Sequence, residues 1–499
     1  MYIGGLDIGT TGCKLTVFNE TGEQVHKSYC DYPVSRNTDA HEVDANAILS
    51  GVWKVIRDTT ERYPKIAGIG ITSFGETFVL TDGQGTPLCP SMLYTDPRGN
   101  MQCRQLREML GDTKIAEISG VKPHEMYSLP KLMWLKENRP EIYQKAEHAF
   151  LMEDFVIFHL TGQAKIDYSL ATRTMGLDIH HLDWSKEIFD AAGIEISLMS
   201  EPVPTGTIAG TITEEAAKKT GLDPETKIVC ISHDQIAAAV GAGVFDSDTA
   251  VDGAGTVECI TPVYDEIPDM EVMMKGNYAV VPYVIPGKYV CYAFSYTGGA
   301  LVQWCVDTLA KQEKEQAEAA GISVNALLEQ QYEEAHNGEP SGLLVLPHFA
   351  GAATPYMDTG SKGAVLGLTS ASSVADIYRG CLEGVVYEMA LNLTWLKPSG
   401  IHFNRLRATG GGAHSKEWMQ MKADILNMEI TSLTTVDAGT VGSAMLTGIA
   451  VGCFADLEEA ASQMVQEVCT YYPREEMHRK YEEIYNRYEQ LYGAVRKLV

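Results

Sequence analysis

Two glycine-containing turns are the parts of this sequence whose residue types could do phosphate chemistry. The first is DIGTTGCK (residues 7–14), placed between two strand-like segments. Glycine lets backbone N–H groups approach a phosphate oxygen, Asp7 can hold a hydrated magnesium ion, and Lys14 can neutralise charge. A plain hairpin that needs glycine for its backbone conformation explains this motif alone equally well.

The second turn repeats the pattern of the first. Residues 249–260 again contain apolar residues, an aspartate, a Gly/Thr turn and a returning strand, with Gly255 and Thr256 in the turn. Two such hairpins, one in each domain and facing each other across a cleft, could hold a polyphosphate. A third cluster, GGG at 410–412, follows a strand-like segment and precedes a helix, a common arrangement in α/β folds of any function. The sequence lacks GxxxxGK[ST] and a complete GxGxxG, which disfavours a P-loop or dinucleotide-binding enzyme.

Asp234 is the candidate general base. It stands at the tip of a buried-looking strand (228–233) and before a helix of small residues, where such bases commonly sit. From spacing alone, a helix-capping aspartate worth about 1 kcal/mol is the simpler interpretation, and His233 is expected to be structural or orienting. The run 72–77 ends another strand in the same manner. Asp96-Pro-Arg98 is either another polar strand end or a surface ion pair.

The elements that must position these residues alternate between strands and helices. Strands are predicted at 2–7, 14–18, 24–32, 66–72, 343–346, 406–408 and 430–433, and helices at 374–396, 416–426, 441–451 and after Pro473. Around two similar turns, this alternation predicts an α/β protein of two domains related by an internal repeat. The predicted boundary lies at 243–250, which gives domains of residues 1–245 and 246–499.

Composition excludes several classes of partner. The chain has 39 Lys+Arg against 66 Asp+Glu, a net charge of −27, and no basic run, which argues against nucleic acid and anionic membranes as partners. It lacks a signal-peptide pattern and a membrane-spanning apolar run, so a cytoplasmic location is expected. The 11 cysteines show no CxxC pair and are expected to be reduced core residues. A homodimer is one assembly that the sequence allows, and nothing in it decides the oligomeric state.

Two longer segments resemble the signatures of a known family, the FGGY carbohydrate kinases. MYSLPKLMWLKEN at 126–138 is similar to the first signature, and GAVLGL at 363–368 followed by DIYRGCLEG at 376–384 is similar to the second. The likeness runs from residue 5 to about 460. It implies two actin-like, ribonuclease-H-like domains flanking a catalytic cleft, with a sugar-binding N-terminal domain and a nucleotide-binding C-terminal domain. It also implies phosphoryl transfer from Mg²⁺-ATP to a sugar or polyol hydroxyl, which leaves ADP.

The resemblance also implies a role for individual residues. Asp234 is similar to the family's catalytic base, and Asp7 to the residue near magnesium. The phosphate and nucleotide contacts implied are Thr10, Thr11, Lys14, Gly255, Thr256, Gly299, Gln303, Gly411 and Gly412. The substrate contacts implied are Glu76, Tyr94, Asp96 and Gln235.

The substrate positions depart from the family's known patterns. Gly75-Glu76 stands where glycerol kinases have Arg-Glu and xylulose kinases Met-His, whereas Asp96-x-Arg98 and 410–413 look more like xylulose kinases. The acceptors Glu76, Asp96, Asp234 and Gln235 favour a neutral, hydroxyl-rich ligand such as a pentulose. The alternative is an actin-like ATP-binding module without sugar kinase activity.

Overall fold

The computed structural model describes residues 1–435 and 437–499. Strands and helices alternate through the first half of the chain. The strands are β1 (Tyr2–Ile8), β2 (Gly12–Asn19), β3 (Gln24–Asp31), β4 (Val34–Arg36), β5 (His41–Val43), β6 (Gly68–Ser73), β7 (Phe78–Thr81), β8 (Ser91–Met92), β9 (His148–Leu151), β10 (Lys165–Asp167), β11 (Leu177–Asp178), β12 (Asp183–Trp184), β13 (Glu201–Val203), β14 (Ile208–Thr211) and β15 (Lys227–His233). The helices are α1 (Ala45–Thr60), α2 (Asn100–Leu110), α3 (Asp112–Ser119), α4 (Ser128–Asn138), α5 (Pro140–Tyr143), α6 (Met152–Thr161), α7 (Tyr168–Thr172), α8 (Lys186–Ala192), α9 (Glu214–Thr220) and α10 (Asp234–Gly241).

The second half continues the alternation. Its strands are β16 (Thr249–Ala254), β17 (Glu258–Tyr264), β18 (Val281–Pro282), β19 (Tyr289–Val290), β20 (Ala293–Ser295), β21 (Leu344–Leu346), β22 (Ala364–Leu366), β23 (Arg405–Thr409), β24 (Glu429–Leu433) and β25 (Glu467–Tyr471). Its helices are α11 (Met270–Lys275), α12 (Gly299–Thr308), α13 (Lys311–Ala320), α14 (Val324–His336), α15 (Val374–Leu396), α16 (Lys416–Leu426), α17 (Ala438–Ala450), α18 (Leu457–Met464), α19 (Glu475–Tyr488) and α20 (Leu491–Val495).

Two large mixed sheets share one strand order, which confirms the predicted internal repeat. The first sheet runs β14-β15-β6-β1-β2-β3, with β15, β6 and β1 parallel and the β1–β2 hairpin antiparallel. In the second, β16 likewise pairs antiparallel with β17 and parallel with β23, which pairs parallel with β24. All six residues of β6 are buried, as expected for a parallel strand covered on both faces. The boundary at 245/246 stays a prediction.

A pair of helices joins the two halves through glycines. Helix α17 of the second half packs on α10 and on the first sheet. A Cβ atom at Gly442 would stand 1.9 Å from the carbonyl oxygen of Ala237, and one at Gly241 would stand 2.0 Å from that of Ala438. A Cβ at Gly5 would likewise stand 2.1 Å from the carbonyl oxygen of Thr440. Close backbone approach at this crossing therefore requires residues without a side chain.

Most predicted elements are confirmed, and one needs correction. The strand predicted at 343–346 is present as β21 and pairs with β22 in a small separate sheet. The correction concerns the C-terminal helix, which is interrupted near Gln490, and Tyr481, Ile484 and Tyr488 of α19 are buried. The cysteines are free thiols, most of them buried, but Cys469 is exposed. No helix in residues 1–435 and 437–499 has the length and apolar character needed to cross a membrane.

Candidate active site

Three carboxylates lie at the carboxyl ends of neighbouring parallel strands of the first sheet. Asp7 lies near the end of β1, Glu76 follows β6, and Asp234 follows β15. Because the carboxyl ends of parallel strands meet at one edge of a sheet, these side chains converge. Their charges act on each other accordingly, since both Asp7 and Glu76 raise the pKa of Asp234.

Asp234 is held in a state that suits a base near neutral pH. Burial, followed by the charge of Asp7, raises the pKa of its carboxyl group from 3.8 to about 7, although the side chain remains 29% exposed. The helix-capping interpretation is wrong, because α10 begins at Asp234 itself, its N-cap residue is His233, and no side chain caps it. A group with this pKa can accept a proton and still be regenerated at neutral pH.

The neighbouring His233 is neutral. Burial, and then the positive charge of Arg173, lower the pKa of His233 well below its usual value. Its Nε2 atom lies 3.4 Å from Oδ1 of Asp234, and its ring centroid lies 5.2 Å from that of Tyr292. This placement is consistent with the orienting role expected from the sequence.

The first hairpin places a lysine between two carboxylates. Nζ of Lys14 lies 3.1 Å from Oδ2 of Asp7 and 3.0 Å from Oδ1 of Asp437, which also pairs with Lys27. Burial lowers the pKa of Lys14, but Asp7 and Asp437 outweigh that effect and raise it above its usual range. Thr10 and Thr11 form the turn between β1 and β2. Sequence reasoning missed Asp437, which lies just before α17.

The residues predicted for nucleotide binding in the second half line one cavity of about 1140 Å³. They are Gly255, Thr256, Gly299, Gln303, Gly411 and Gly412. Thr10, Thr11 and Lys14, on the other hairpin, do not line it. A cavity of this size accommodates a nucleotide.

Backbone hydrogen bonds build one wall of this cavity. The N–H of Gly299 donates to the carbonyl of Gly255 (2.8 Å), and the N–H of Ala300 donates to the carbonyl of Thr256 (3.1 Å), so the hairpin tip rests on the start of α12. A Cβ at Gly411 would meet nothing within 4 Å, so this backbone is open to a ligand.

The aspartate of the second hairpin is engaged elsewhere. Asp252 is buried and accepts a hydrogen bond from Nζ of Lys422 at 2.5 Å, and the same ammonium group pairs with Glu258. The two hairpins therefore differ in chemistry. The carboxylate of Asp7 pairs with Lys14 at the carboxyl ends of the strands, whereas the carboxylate of Asp252 is buried and bound to Lys422.

Glu76 makes a buried ion pair with Arg173, a residue that sequence reasoning missed. Nε of Arg173 donates to Oε1 of Glu76 at 2.6 Å, and the two side chains are 7% and 6% exposed. The guanidinium carbon lies 5.2 Å from the ring centroid of Tyr127 and 5.5 Å from that of Tyr292. Glu76 has a φ of 61°, so the turn holding it is in the left-handed region.

The other residues predicted to bind substrate differ in burial and in whether their polar atoms are already hydrogen-bonded within the protein. Burial, and then Glu76, raise the pKa of Tyr94, and Asp234 adds to this effect. Gln235 is half-buried in the first turn of α10. Asp96 is buried, and its oxygens accept from Nε of Arg98 (2.8 Å) and from the N–H of His41 (2.8 Å). The roles of these residues stay predictions.

The carboxylates at this sheet edge suit a magnesium ion that takes most of its ligands from water and substrate phosphates. Within residues 1–435 and 437–499, no group of three or more His, Cys, Asp and Glu side chains could hold a metal ion. Mg²⁺ is commonly bound by one or two carboxylates, waters and substrate phosphates, so Asp7 is a suitable partner.

The fold and the residues at this edge of the first sheet define a class of protein. Two sheets with one strand order, joined by a glycine-packed helix pair, form the two-domain, actin-like ATPase fold. The xylulose kinase of Lactobacillus acidophilus has this fold, with a TM-score of 0.88 at 24% identity over 100% of both chains.

Sequence comparison identifies the family. Residues 2–241 match the model of the FGGY family of carbohydrate kinases, N-terminal domain, and residues 259–451 match that of its C-terminal domain. The chain belongs to the FGGY family of carbohydrate kinases, and it is an enzyme of that class. It is 28% identical to a xylulose kinase of Lactococcus lactis, with 96% of this chain and 94% of the relative covered. It is also 28% identical to a gluconokinase of Bacillus subtilis, with 96% and 93% covered.

Proposed function

We propose that the protein transfers the γ-phosphoryl group of ATP to a hydroxyl group of a small neutral sugar or polyol, with a ketose such as a pentulose preferred. The observation that carries this proposal is Asp234, whose carboxyl group has a pKa of about 7 at the same sheet edge as Lys14 and Asp7. A hydroxyl is a weak nucleophile, and a positioned base near neutral pH is what its attack on a phosphoryl group requires.

Each residue has one role in this proposal. Asp234 takes the hydroxyl proton as the oxygen attacks the γ-phosphorus. Lys14, Thr10 and Thr11 contact the phosphates from one hairpin, and Gly255 and Thr256 contact them from the other. Gly299, Gln303, Gly411 and Gly412 hold the nucleoside, while Glu76, Tyr94, Asp96 and Gln235 orient the sugar.

Asp7 would hold Mg²⁺ through water. When bound, this ion supplies positive charge to the phosphates. Asp7 also pairs with Lys14, whose Nζ atom lies 3.1 Å from its Oδ2 atom.

The neutral substrate is supported by charge at the sheet edge. Asp7 and Glu76 are paired there with Lys14 and Arg173, and the neighbouring Asp234 would repel a carboxylate on the reacting part of the substrate. Four relatives at 25–28% identity that are named xylulose kinases support a pentulose. The net charge of −27 supports a protein that does not bind nucleic acid, and we place its activity in the cytoplasm.

The test is ADP release over a panel of pentuloses, hexuloses, aldoses, tetritols and glycerol. We expect one ketose to stimulate ADP release by wild type and by Asp190→Asn, which removes an exposed carboxylate from α8. If ATP binds but no member of the panel stimulates ADP release, the proposed substrate class is wrong.

A further inference from the structure

A second cavity lies beside the Glu76–Arg173 ion pair, between the two halves of the chain. Its volume is about 350 Å³. One side is formed by α2 and by residues 122–127 of the first half, and the other by residues of the second half that include Asn277, Tyr292 and Met357. Arg173 lines it, whereas Asp7, Asp234 and the two phosphate hairpins do not. The cavity is therefore separate from the reacting groups and shares one wall with the sugar-binding region.

The walls of this cavity are cationic in an otherwise acidic protein. They carry Arg104, Arg107, Lys122 and Arg173 against one carboxylate, that of Glu125, although the whole chain has a net charge of −27. Arg107 is paired with Asp112, and Arg173 with Glu76. Within the described part of the chain, Arg104 and Lys122 have no carboxylate within 4.0 Å. Two cations are thus without an ion-pair partner in that part of the chain, and the single carboxylate of the wall, that of Glu125, leaves a net positive charge for a ligand.

Hydrogen-bond donors accompany the charge. The Nη1 atom of Arg173 is buried and has no partner among the described residues. Nδ1 of His124 accepts from the N–H of Met126 at 3.1 Å, which leaves Nε2 as the N–H donor of the neutral ring. Nζ of Lys131 donates to the backbone carbonyls of Glu125 (2.5 Å) and Met126 (2.7 Å). These hydrogen bonds hold the backbone of residues 125–126 in place in the cavity wall.

The cations of this wall stand beside apolar side chains. Burial lowers the pKa of Lys122, against an opposing effect of Asp112, and the nearby Arg107 lowers it further. Arg104 is exposed and Lys122 is half-buried, and both share the cavity with Tyr292, Phe294 and Met126. Donors and cations on one side and apolar groups on the other fit an oxyanion carried on a short carbon skeleton.

We propose that this cavity is a binding site for a small oxyanion, a phosphate or carboxylate group, held by Arg104, Lys122 and His124 beside Arg173. Because residues of both halves line it, an occupant contacts both and favours the arrangement in which they are close. The anion can come from either of two sources. It is a free ligand, or it is the acid group of a substrate whose other end occupies the sugar-binding region on the far side of Arg173.

The test measures binding of inorganic phosphate to the full chain by titration calorimetry. Mg²⁺ and a non-hydrolysable ATP analogue are present at saturation, so that the phosphate hairpins are already filled. The double variant Arg104→Gln/Lys122→Gln removes both free charges from the cavity. The control, Lys218→Gln/Lys219→Gln, removes two charges from α9, where each lysine pairs with a glutamate on the same helix. Far-UV circular dichroism and Tm establish that all variants are folded.

We expect wild type and control to bind phosphate and the double variant to bind it at least about tenfold more weakly, because charge-assisted hydrogen bonds are lost.

Gluconate then distinguishes the two sources of the anion. If it is phosphorylated and the double variant raises its KM about tenfold without changing that of a neutral ketose, the anion is the acid group of a substrate. If gluconate is not phosphorylated but phosphate binds together with a neutral ketose, the anion is a free ligand. The proposal is wrong if wild type binds no phosphate, or if the double variant binds it as tightly as the control. Because phosphate binding does not depend on turnover, this result is separate from that of the kinase assay.

Discussion

The carboxylate of Asp7 raises the pKa of Asp234 across the first sheet. Asp7 lies near the end of β1 and Asp234 directly follows β15, and these two strands flank β6. The repulsion between the two charges adds to the burial that brings Asp234 to a pKa of about 7. Asp7 therefore acts twice in the proposed mechanism, as a partner of cations and as the charge that makes Asp234 a stronger base.

The first prediction concerns the dependence of activity on pH. A base must be deprotonated, so the wild-type value of kcat/KM rises with pH through about 7. Asp7→Asn removes a negative charge, makes deprotonation of Asp234 easier and moves this rise to lower pH, even though the maximal rate falls. The measurement is kcat/KM from pH 5 to 9, with Asp190→Asn as the control. A rise that stays in place or moves to higher pH in Asp7→Asn contradicts the account.

The second prediction concerns the nucleotide cavity. Gly411→Val adds a side chain where a Cβ meets nothing within 4 Å, so the protein folds but the new methyl groups occupy ligand space. We expect the Kd for ADP to rise by at least about tenfold, which calorimetry measures directly. Gly493→Val is the matched control, because a Cβ at Gly493 in α20 also meets nothing within 4 Å. Equal affinities in the two variants would place the nucleotide elsewhere.

The third prediction concerns the buried ion pair. Arg173→Met leaves the carboxylate of Glu76 buried without its partner, which should lower the free energy of unfolding by about 3–5 kcal/mol. The double variant Glu76→Gln/Arg173→Met removes that charge and should recover part of the loss. Urea denaturation of both variants measures the difference. If Arg173→Met is as stable as wild type, the ion pair is not formed as described.

The fourth prediction concerns the helix pair that joins the halves. Gly442→Ala places a Cβ 1.9 Å from the carbonyl oxygen of Ala237, so α10 and α17 must separate, at a cost of about 1–3 kcal/mol. Tm measures this loss. Gly493→Ala, also in a helix but facing open space, should leave Tm unchanged or raise it. A Tm for Gly442→Ala equal to that of Gly493→Ala would show that the crossing tolerates a side chain.

Local pattern was sufficient to predict the repeat and the strand-end carboxylates. Asp7 and Asp234 each follow an apolar run, and parallel strands bring such positions to one edge of a sheet. The glycine turn at 255–256 is predicted on the same basis, whereas a nucleotide role for 411–412 is implied only by the family resemblance; the structure places both turns in one cavity.

Contacts between distant segments could not be predicted in this way. Arg173 is 97 residues from Glu76, and Asp437 is 423 residues from Lys14, and neither residue belongs to a motif. The charge of the second cavity is equally hidden, because its lysine and arginines come from separate segments and are outnumbered by acidic residues in the composition. Asp252 differs from Asp7 because it is bound by Lys422, a residue 170 positions away in the sequence.

The most direct test of the central claim is single-turnover phosphoryl transfer by wild type and Asp234→Asn, with the preferred sugar and with ATP binding measured separately. Asparagine keeps the size of the side chain but cannot accept the hydroxyl proton. The account predicts that both proteins bind ATP equally and that Asp234→Asn transfers the phosphoryl group about 10²–10⁴-fold more slowly. Transfer at the wild-type rate would contradict it and show that Asp234 is not the base.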